Sequence, residues 1–445
     1  MSRSRHGQSS IGHGISKDKD RNDANKTSRR ARMTARPVAA SELRFGSERV
    51  RSMLARLSAG LALATLCIAC SSPASAQRQL LPHPEVLAGA SAELIDRLRA
   101  DPFTYFRFIN RAWTARVCEA FADVTSPTIV RLHGDAHIEQ FALTQSAWGL
   151  GDFDDSTRGP SFIDIVRFLG SIDLATRQRG WTRDRDPLWD RFFQGYRLGL
   201  SNPSFQPPEP DIVRELRRHA PITTAAFLSW GESQMQPMDD GRSKAIVTGM
   251  EALERLVRGE RPDLAPGYFA VKRAGWLRMG VGSATIMKVL IRVQGPTTDP
   301  DDDVLLEGKE TLNLDGVGCL ETPPTPPSVR VIAGARQLGR LKYDILAVGP
   351  TLLVPAAADR AEHWLNWWVA SWEPTYREVR LSDLRSVGDL ADIAFDSGVQ
   401  LGAGKVVSVR GQELASNTSI EQRLRKETAT IVEELLAGWR ELAKR

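Results

Sequence analysis

Apolar residues recur at helical spacing over much of the chain beyond residue 84. Phe162, Ile165 and Leu169, for example, are three or four positions apart, which places them on one face of a helix at residues 162–175. The same spacing predicts two helices within residues 84–123, a helical stretch at 181–264 broken by prolines at 203–210, and an amphipathic C-terminal helix at 420–442. Most of the chain is therefore predicted to be helical.

The pattern changes after Pro266, where short apolar runs rich in β-branched residues alternate with turn-forming residues. Strands are predicted at residues 284–293, 304–309, 329–333, 343–348 and 352–355. Helices are predicted to return at Ala356 and to continue through a tryptophan-rich segment, whose rings we expect to pack in the core. The expected fold class is α+β, with a helical region at 77–265, a small, mostly antiparallel sheet at 266–355 and a second helical region at 356–445.

The N-terminal residues differ in composition from the rest. Residues 1–52 contain 13 Lys and Arg against 5 Asp and Glu, which predicts a disordered basic leader or a start codon assigned too far upstream. Residues 53–76 have the basic, apolar and small-residue regions of a secretory signal peptide. We expect an exported protein, periplasmic or secreted, with no transmembrane helix after cleavage. A lipoprotein anchored through Cys70 is the second choice.

Charge and cysteine content narrow the functional classes. From Gln77 onward there are 45 Lys and Arg against 49 Asp and Glu, so the net charge of +5 belongs to the leader. No nucleic-acid partner is expected for the mildly acidic remainder. Cys118 and Cys319 lie beyond the signal segment, and either one disulfide or two separate buried thiols fits them.

Ionisable side chains are concentrated in residues 131–155, directly after a β-branched run. The set comprises His133, Asp135, His137, Glu139, Gln140, Asp152, Asp154 and Asp155. Such groups beside apolar residues carry a desolvation cost unless they bind something charged. Oxygen ligands of this kind suit Mg²⁺, so a divalent cation is the simplest candidate.

A second motif is the turn Gly280-Val281-Gly282-Ser283, followed further along the chain by Lys309 on a predicted strand. Glycines allow the backbone to approach phosphates, and a lysine ammonium offers a point charge to their oxygens. The turn alone is typical of an ordinary hairpin. Together with Lys309 and the carboxylates it indicates a nucleotide site.

These motifs resemble an uncharacterised bacterial family, domain of unknown function 2252. The resemblance spans most of residues 90–400 and is carried by residues 101–107, 133–137, Gln140, 152–155, 159–160, Asp164, Arg167, 280–283, 309–310 and 330–344. That family is similar to the protein-kinase-like superfamily, notably the aminoglycoside and choline phosphotransferases. The resemblance implies a two-lobed fold with a mainly helical large lobe and a small antiparallel-sheet lobe. Since Lys309 follows Asp135 here, whereas kinases have the glycine turn and lysine first, the implied fold is circularly permuted.

The resemblance also implies roles for individual residues. Asp135 would be the catalytic base, and Asp152 would ligate the Mg²⁺ that bridges the phosphates of ATP. Gln140 stands where the family looks to have an asparagine as second metal ligand, and Lys309 would neutralise the phosphates.

Other matching residues would support this site. Gly280, Gly282 and Ser283 would form the turn that covers the nucleotide. The residues with structural roles would be His133, His137, Asp154, Asp164 and Arg167. No acidic partner for Lys309 is identified, because Glu310 is predicted to face the opposite side of its strand.

Three functional classes follow. The first is a kinase-like phosphotransferase that uses ATP and Mg²⁺ and acts on a small hydroxyl or amino compound. The second is an exported pseudoenzyme that keeps the fold and binds a ligand or partner, because exported proteins meet little ATP. The third is a metal-dependent phosphoesterase in which His133, Asp135 and His137 alternate along a strand and bind the metal. A structural role for all these polar groups is the remaining alternative.

Overall fold

Several helices pack around the buried helix Phe162–Arg179, and others pack on an antiparallel sheet. A computed structural model describes residues 78–125, 127–218, 223–277, 286–321, 325–356, 361–404 and 418–444, which belong to one compact unit. The predicted leader, the signal segment at 53–76 and the glycine turn at 280–283 lie outside the described residues. The helices are α1 (Pro84–Ala88), α2 (Ala92–Ala100), α3 (Pro102–Phe108), α4 (Asn110–Ala120), α5 (Phe162–Arg179), α6 (Arg185–Ser201), α7 (Asp211–Arg218), α8 (Thr224–Gln234), α9 (Asp240–Glu260), α10 (Pro327–Leu338), α11 (Val387–Ala403) and α12 (Thr418–Ala443).

The strands form small antiparallel sheets. They are β1 (Ile129–Leu132), β2 (Phe141–Leu143), β3 (Trp148–Leu150), β4 (Thr157–Pro160), β5 (Met235–Gln236), β6 (Val271–Leu277), β7 (Lys288–Val293), β8 (Val304–Glu310), β9 (Leu346–Val348), β10 (Leu352–Val354), β11 (His363–Leu365), β12 (Trp367–Ser371) and β13 (Arg377–Glu378). The largest sheet has six strands in the order β5-β6-β7-β8-β12-β9. The smaller ones are β1-β4, β10-β11 and β13-β2-β3. The expected α+β class is confirmed.

Helix α5 is the centre of the helical region. Its residues from Phe162 to Thr176 are all buried, as expected for a helix that is surrounded by other elements. It ends at Gly180, whose φ of 74° is the left-handed conformation that glycine adopts at little cost. The predicted helices at 162–175 and 420–442 are confirmed by α5 and α12. The helical character of 84–123 is also confirmed, but the segment forms four helices, α1–α4, rather than the two predicted.

Helices α6 and α11 cross closely through glycines. A Cβ at Gly195 would meet the backbone oxygen of Phe395, and a Cβ at Gly402 would meet that of Tyr196. The absent side chains therefore let the two backbones touch, which fixes α11 against the helical region although it lies near the C-terminal end of the chain.

Two element predictions are wrong. Residues 329–333, predicted as a strand, lie in helix α10, where Val331, Ile332 and Ala335 are buried at helical spacing against Phe153 and Trp368. Pro327 in the first turn favours this helix, because it lacks the N–H that a helix start leaves unpaired.

The tryptophan-rich segment is the second error, since it forms β11 and β12 rather than helices. Trp367 and Val369 belong to one hydrophobic cluster, whereas Trp368 and Ala370 belong to another. This alternation between two faces is the period of a strand. The six-stranded sheet thus continues past residue 355, the predicted limit of the small lobe, to Ser371, and also includes β5.

The sheet has helices on both faces. Helix α9 packs on one face through Ile246, Met250 and Leu253, and α10 lies against the other face near Phe153. A disulfide joins Cys118 of α4, in the helical region, to Cys319, which follows β8 of the sheet. Within the described ranges, the helices lack the combination of length and apolar character that a membrane span requires.

Candidate active site

The loop after β1 is held by the first turn of α5. Asp164 accepts hydrogen bonds from the backbone N–H groups of His133 and Gly134, both at 2.9 Å. Nε2 of His133 contacts the carbonyl oxygen of Gly151 at 2.7 Å, and its Nδ1 accepts the N–H of Asp135 at 3.3 Å. His133 and Asp164 are fully buried, so both stabilise the loop from inside.

Asp135 is fixed by a buried arginine. Nε and one terminal nitrogen of Arg167 lie 2.8 and 2.7 Å from Oδ1 of Asp135. Its Oδ2 lies 3.4 Å from the Gln140 amide nitrogen and 3.5 Å from Nε2 of His137. The Arg167 guanidinium stacks 3.5 Å above the Phe106 ring. One carboxylate oxygen is thus committed to Arg167, and the other faces Gln140 and His137.

The electrostatic environment keeps Asp135 ionised. Burial alone would raise its pKa, but Arg167, followed by His137, outweighs burial and brings the pKa below its ordinary range. Burial lowers the pKa of His137 to about 4, so His137 is neutral near pH 7. His137 packs edge-on against Phe103, with ring centroids 5.9 Å apart, and is fully buried.

The segment 152–155 carries three carboxylates into the same region. Asp152 has a φ of 52°, a conformation that is uncommon for a residue other than glycine and that often marks functional sites. Phe153 is buried and packs against the His133 ring, with ring centroids 4.8 Å apart, and this contact anchors the segment. Arg330 of α10 donates to the carbonyl oxygens of Asp154 and Ser156 at 2.6 and 2.7 Å.

Lys309 of β8 meets these carboxylates from the sheet. Its Nζ lies 3.0 Å from Oδ1 of Asp152 and 3.2 Å from Oδ2 of Asp154. Lys309 and Asp152, which the sequence analysis assigned to one site, are thus in contact. Glu307, two residues earlier on the same strand, lies 3.8 Å from Nζ and is the acidic neighbour that sequence reasoning did not identify. Alternation along a strand places residues i and i−2 on one face, and this signal would have found it.

The charged side chains of this cluster shift one another's pKa values. Burial opposes the charge on Lys309, but Asp152, Asp154 and Glu307 raise its pKa well above the ordinary value. Burial and the charge of Asp152 raise the pKa of Asp154 to about 8. For Asp152, Lys309 outweighs burial, and its pKa is lowered. The environment thus favours the ionised form of Asp152 and disfavours that of Asp154.

A cavity of about 360 Å³ opens between the helical region and the sheet. Five predicted site residues line it: Asp135, Gln140, Asp152, Asp154 and Lys309. Four other predicted site residues, His133, His137, Asp164 and Arg167, support it from behind. Gly280, Gly282 and Ser283 lie outside the described residues.

Sequence reasoning missed several cavity residues. Lys288 of β7 lines the cavity, as do the aromatic side chains Tyr343, Trp368 and Tyr376. Outside the cavity lining, Asn110 of α4 was also missed, and it donates to Oδ2 of Asp155 at 2.9 Å. A lysine between the apolar residues Met287 and Val289 of a predicted strand was the available signal for Lys288. The aromatic residues gave none, because their proximity depends on tertiary packing.

The donor atoms available to a metal are oxygens. Within the part of the chain that the structure describes, no group of three or more His, Cys, Asp or Glu side chains is arranged to hold a metal ion. Three buried side-chain oxygens beside the cavity have no hydrogen-bond partner there: Oε1 of Gln140, Oδ1 of Asp154 and Oδ1 of Asp155. Orphaned buried oxygens carry a desolvation cost, and a hard cation satisfies them well.

The fold and site define an α+β protein with a cavity between a helical region and an antiparallel sheet, lined by carboxylates and buried lysines. Residues 92–216 match the profile of the family described as "Uncharacterized protein conserved in bacteria (DUF2252)". The predicted resemblance to that family is thus confirmed for this part of the chain. No curated protein matches the chain. No solved structure matches it either.

Proposed function

We propose that the protein is a kinase-like phosphotransferase that moves a terminal phosphate from a phosphate donor, ATP being the reference case, to a small hydroxyl or amino acceptor. The observation that carries this proposal is the meeting of Lys309 with Asp152 and Asp154, at 3.0 and 3.2 Å, on the wall of a cavity that Asp135 also lines. A lysine on a sheet that faces a metal-binding carboxylate, next to a second carboxylate for the acceptor, is the arrangement that phosphoryl transfer by kinases uses.

The order of strands supports a kinase-like, two-lobed interpretation. After the two-residue edge strand β5, the longer strands β6, β7 and β8 are consecutive antiparallel neighbours, and Lys309 lies on the third of these longer strands. Protein kinases likewise have their phosphate-binding lysine on the third strand of the small lobe. Asp135 and Asp152 precede the sheet in sequence here, so we propose a circular permutation in which β5–β12 form the small lobe.

Mg²⁺ fits the residues present. Asp152 and Gln140 would hold it, and the unpartnered Oδ1 of Asp154 is a third oxygen beside the same cavity. The ion, when bound, would neutralise charge on the transferred phosphate. Lys309 would exchange its contacts with the aspartates for contacts with donor phosphates, which leaves the aspartate oxygens available to the ion.

Asp135 would act on the acceptor. Its Oδ1 is engaged by Arg167, so Oδ2 would accept the hydrogen bond of the acceptor hydroxyl. The hydroxyl oxygen attacks the terminal phosphorus, the bond to the bridging oxygen breaks, and the proton passes to Asp135. Because its pKa is low, Asp135 would work mainly by orienting the nucleophile and would take the proton late in the reaction.

The phosphoesterase alternative receives no support from the geometry. Both ring nitrogens of His133 are engaged by the backbone of Gly151 and Asp135. His137 is fully buried between aromatic rings. Neither imidazole lines the cavity.

We also propose that the protein is exported. The Cys118–Cys319 disulfide supports it, because disulfides persist in oxidising compartments and are rare in the cytosol.

A turnover assay tests the proposed activity. The purified protein is incubated with ATP, Mg²⁺ and a panel of small alcohols and amines, and ADP formation is followed. We expect an acceptor-dependent rate that Asp135→Asn lowers by at least about 100-fold, the usual contribution of a general base. ADP formation that Asp135→Asn leaves unchanged would contradict the proposal. Binding of ATP without any turnover would favour the pseudoenzyme instead.

A further inference from the structure

Two buried lysines face the cavity from directly opposite positions of the sheet. Lys288 of β7 pairs in register with Lys309 of β8, and both side chains line the cavity. They are only 6% and 9% exposed. Directly opposite residues of an antiparallel pair lie on the same face with Cβ atoms about 4.5–5.5 Å apart, and like charges there repel. Both ammonium groups remain charged only when anions face them, because an uncompensated buried lysine loses its proton instead.

Carboxylates supply these anions in the described structure. Lys309 contacts Asp152, Asp154 and Glu307. Lys288 lies in the field of the same three carboxylates, while burial and the charge of Lys309 lower its pKa. The three carboxylates therefore balance the charges of both lysine ammonium groups. A ligand that replaces the carboxylates there must offer negative charge to both lysines.

The side chains that flank Lys309 across the sheet differ on its two sides. Trp368 of β12 is opposite Lys309 on its other side, with Nζ 5.4 Å from the ring centroid. Lys288, Lys309 and Trp368 thus form one row across three strands. The aromatic end of the row offers an anion only the uncharged indole N–H of Trp368, whereas Lys288 offers a charged ammonium group. An anionic ligand that contacts Lys309 therefore gains more by extending toward Lys288.

We propose that Lys288 is a second phosphate-binding residue and that the site binds a phosphoanhydride chain of at least two phosphates. This inference rests on the proposed phosphotransferase function and specifies its donor. A single phosphate would need only Lys309, whereas a chain would contact both lysines. Two sources share this chemistry, a nucleoside di- or triphosphate and an inorganic polyphosphate.

Isothermal titration with Mg²⁺ and two ligand series tests the inference. One series is ATP, ADP and AMP, and the other is tripolyphosphate, pyrophosphate and phosphate. We expect Lys288→Met to weaken ligands with two or three linked phosphates by about 10- to 100-fold, the effect of losing one charged hydrogen bond, and single-phosphate ligands by less than about twofold. Lys309→Met should weaken every ligand, and Lys288→Arg should retain most of the affinity.

Lys272→Met is the matched control. Lys272 lies on the neighbouring strand β6, pairs with Asp303 and is not part of the cavity lining. Its replacement should leave all affinities unchanged. If Lys288→Met does not fold, as judged by its thermal transition, Lys288→Gln removes the same charge and keeps a polar side chain.

The outcomes separate the inference from the function on which it rests. One result is that the wild type binds ligands with two or three linked phosphates and that Lys288→Met and Lys288→Gln bind them equally well. That result would overturn the role of Lys288 and leave the phosphotransferase proposal standing. Wild-type protein that binds neither series would overturn both. A preference for ATP over tripolyphosphate would identify a nucleotide donor, and equal affinities would identify the inorganic chain. In either case the dependence on Lys288 supports the inference.

Discussion

Asp154 shows how one side chain at this site is controlled by its neighbours. It is buried beside Asp152 and 3.2 Å from Lys309, and its pKa is raised to about 8. The unfolded chain has no such environment, so its Asp154 ionises near the ordinary pKa of about 4. A group whose pKa is raised by folding stabilises the fold fully below the unfolded pKa. That contribution is lost as the pH rises toward the folded pKa.

Replacement of Asp154 by asparagine should therefore change the pH dependence of stability. We expect Asp154→Asn and wild type to be similarly stable near pH 4, and the variant to gain relative to wild type as the pH rises to 8. The gain should be on the order of a few kcal/mol in the free energy of unfolding and should level off above pH 8. Thermal denaturation of both proteins across this range measures it. A difference that stays constant with pH would mean that Asp154 is ionised throughout.

Among single residues, those that lie in a short stretch of chemically active side chains could be singled out from the sequence. Asp135, Gln140 and Asp152 belong to the polar cluster at residues 131–155, and all three line the cavity. Lys288 and Glu307 were missed. Alternation along β8 places Glu307 on the face of Lys309, so Glu307 could have been predicted. The position of Lys288 opposite Lys309 depends on the register of β7 with β8, which is a tertiary property.

Among the secondary-structure elements, α10 and β12 best show what the sequence could not reveal. Both are short apolar segments, and a run of four to eight apolar residues does not distinguish a buried helix from a buried strand. The structure places α10 against Phe153 and Trp368, where it delivers Arg330 to the backbone of the 152–155 segment. Helix α10 thus contacts both the sheet and the 152–155 segment.

The closest point of that contact is Gly334. A Cβ at this position would collide with the side chain of Ser156, which is fully buried and donates to the Leu132 carbonyl oxygen at 2.7 Å. We expect Gly334→Ala to lower the free energy of unfolding by about 1–3 kcal/mol, the cost of overpacking, and to weaken Mg²⁺-dependent ligand binding because the 152–155 segment is displaced. Denaturant unfolding and titration measure the two effects.

Gly259 provides a matched comparison on α9. It is exposed, and a Cβ there would meet nothing within 4 Å. Gly259→Ala should be neutral or stabilise by up to about 1 kcal/mol, because alanine favours helix. Equal effects of the two substitutions would show that α10 does not press on Ser156.

On the scale of the whole molecule, the helical region and the sheet are separate layers that meet at the cavity. Their assignment to an α+β fold was possible from periodicity, since the change from helical to strand spacing after Pro266 is clear. The extent of the sheet could not be predicted from the sequence, because β5 is only two residues long and β12 resembles a buried helix segment. The disulfide could not be assigned either, since it joins residues 201 positions apart.

That disulfide should contribute measurably to stability. By closing a long loop it restricts the unfolded chain, an effect typically worth about 2–4 kcal/mol. We expect a reducing agent to lower the thermal midpoint of the wild type and to have no effect on a Cys118→Ala, Cys319→Ala double variant, whose midpoint should already be low. A wild-type midpoint that reductant leaves unchanged, with both thiols shown by mass spectrometry to be free, would contradict the contribution.

The central claim is that the carboxylates of the helical region and the lysines of the sheet form one phosphate-donor site. Titration of the purified wild type, Asp152→Asn and Asp135→Asn with ATP in the presence of Mg²⁺ tests it most directly. We predict one saturable site in the wild type, loss of at least about tenfold in affinity for Asp152→Asn, and nearly unchanged affinity for Asp135→Asn, because Asp135 acts on the acceptor. Absence of binding to the wild type, or binding that Asp152→Asn leaves intact, would contradict the account.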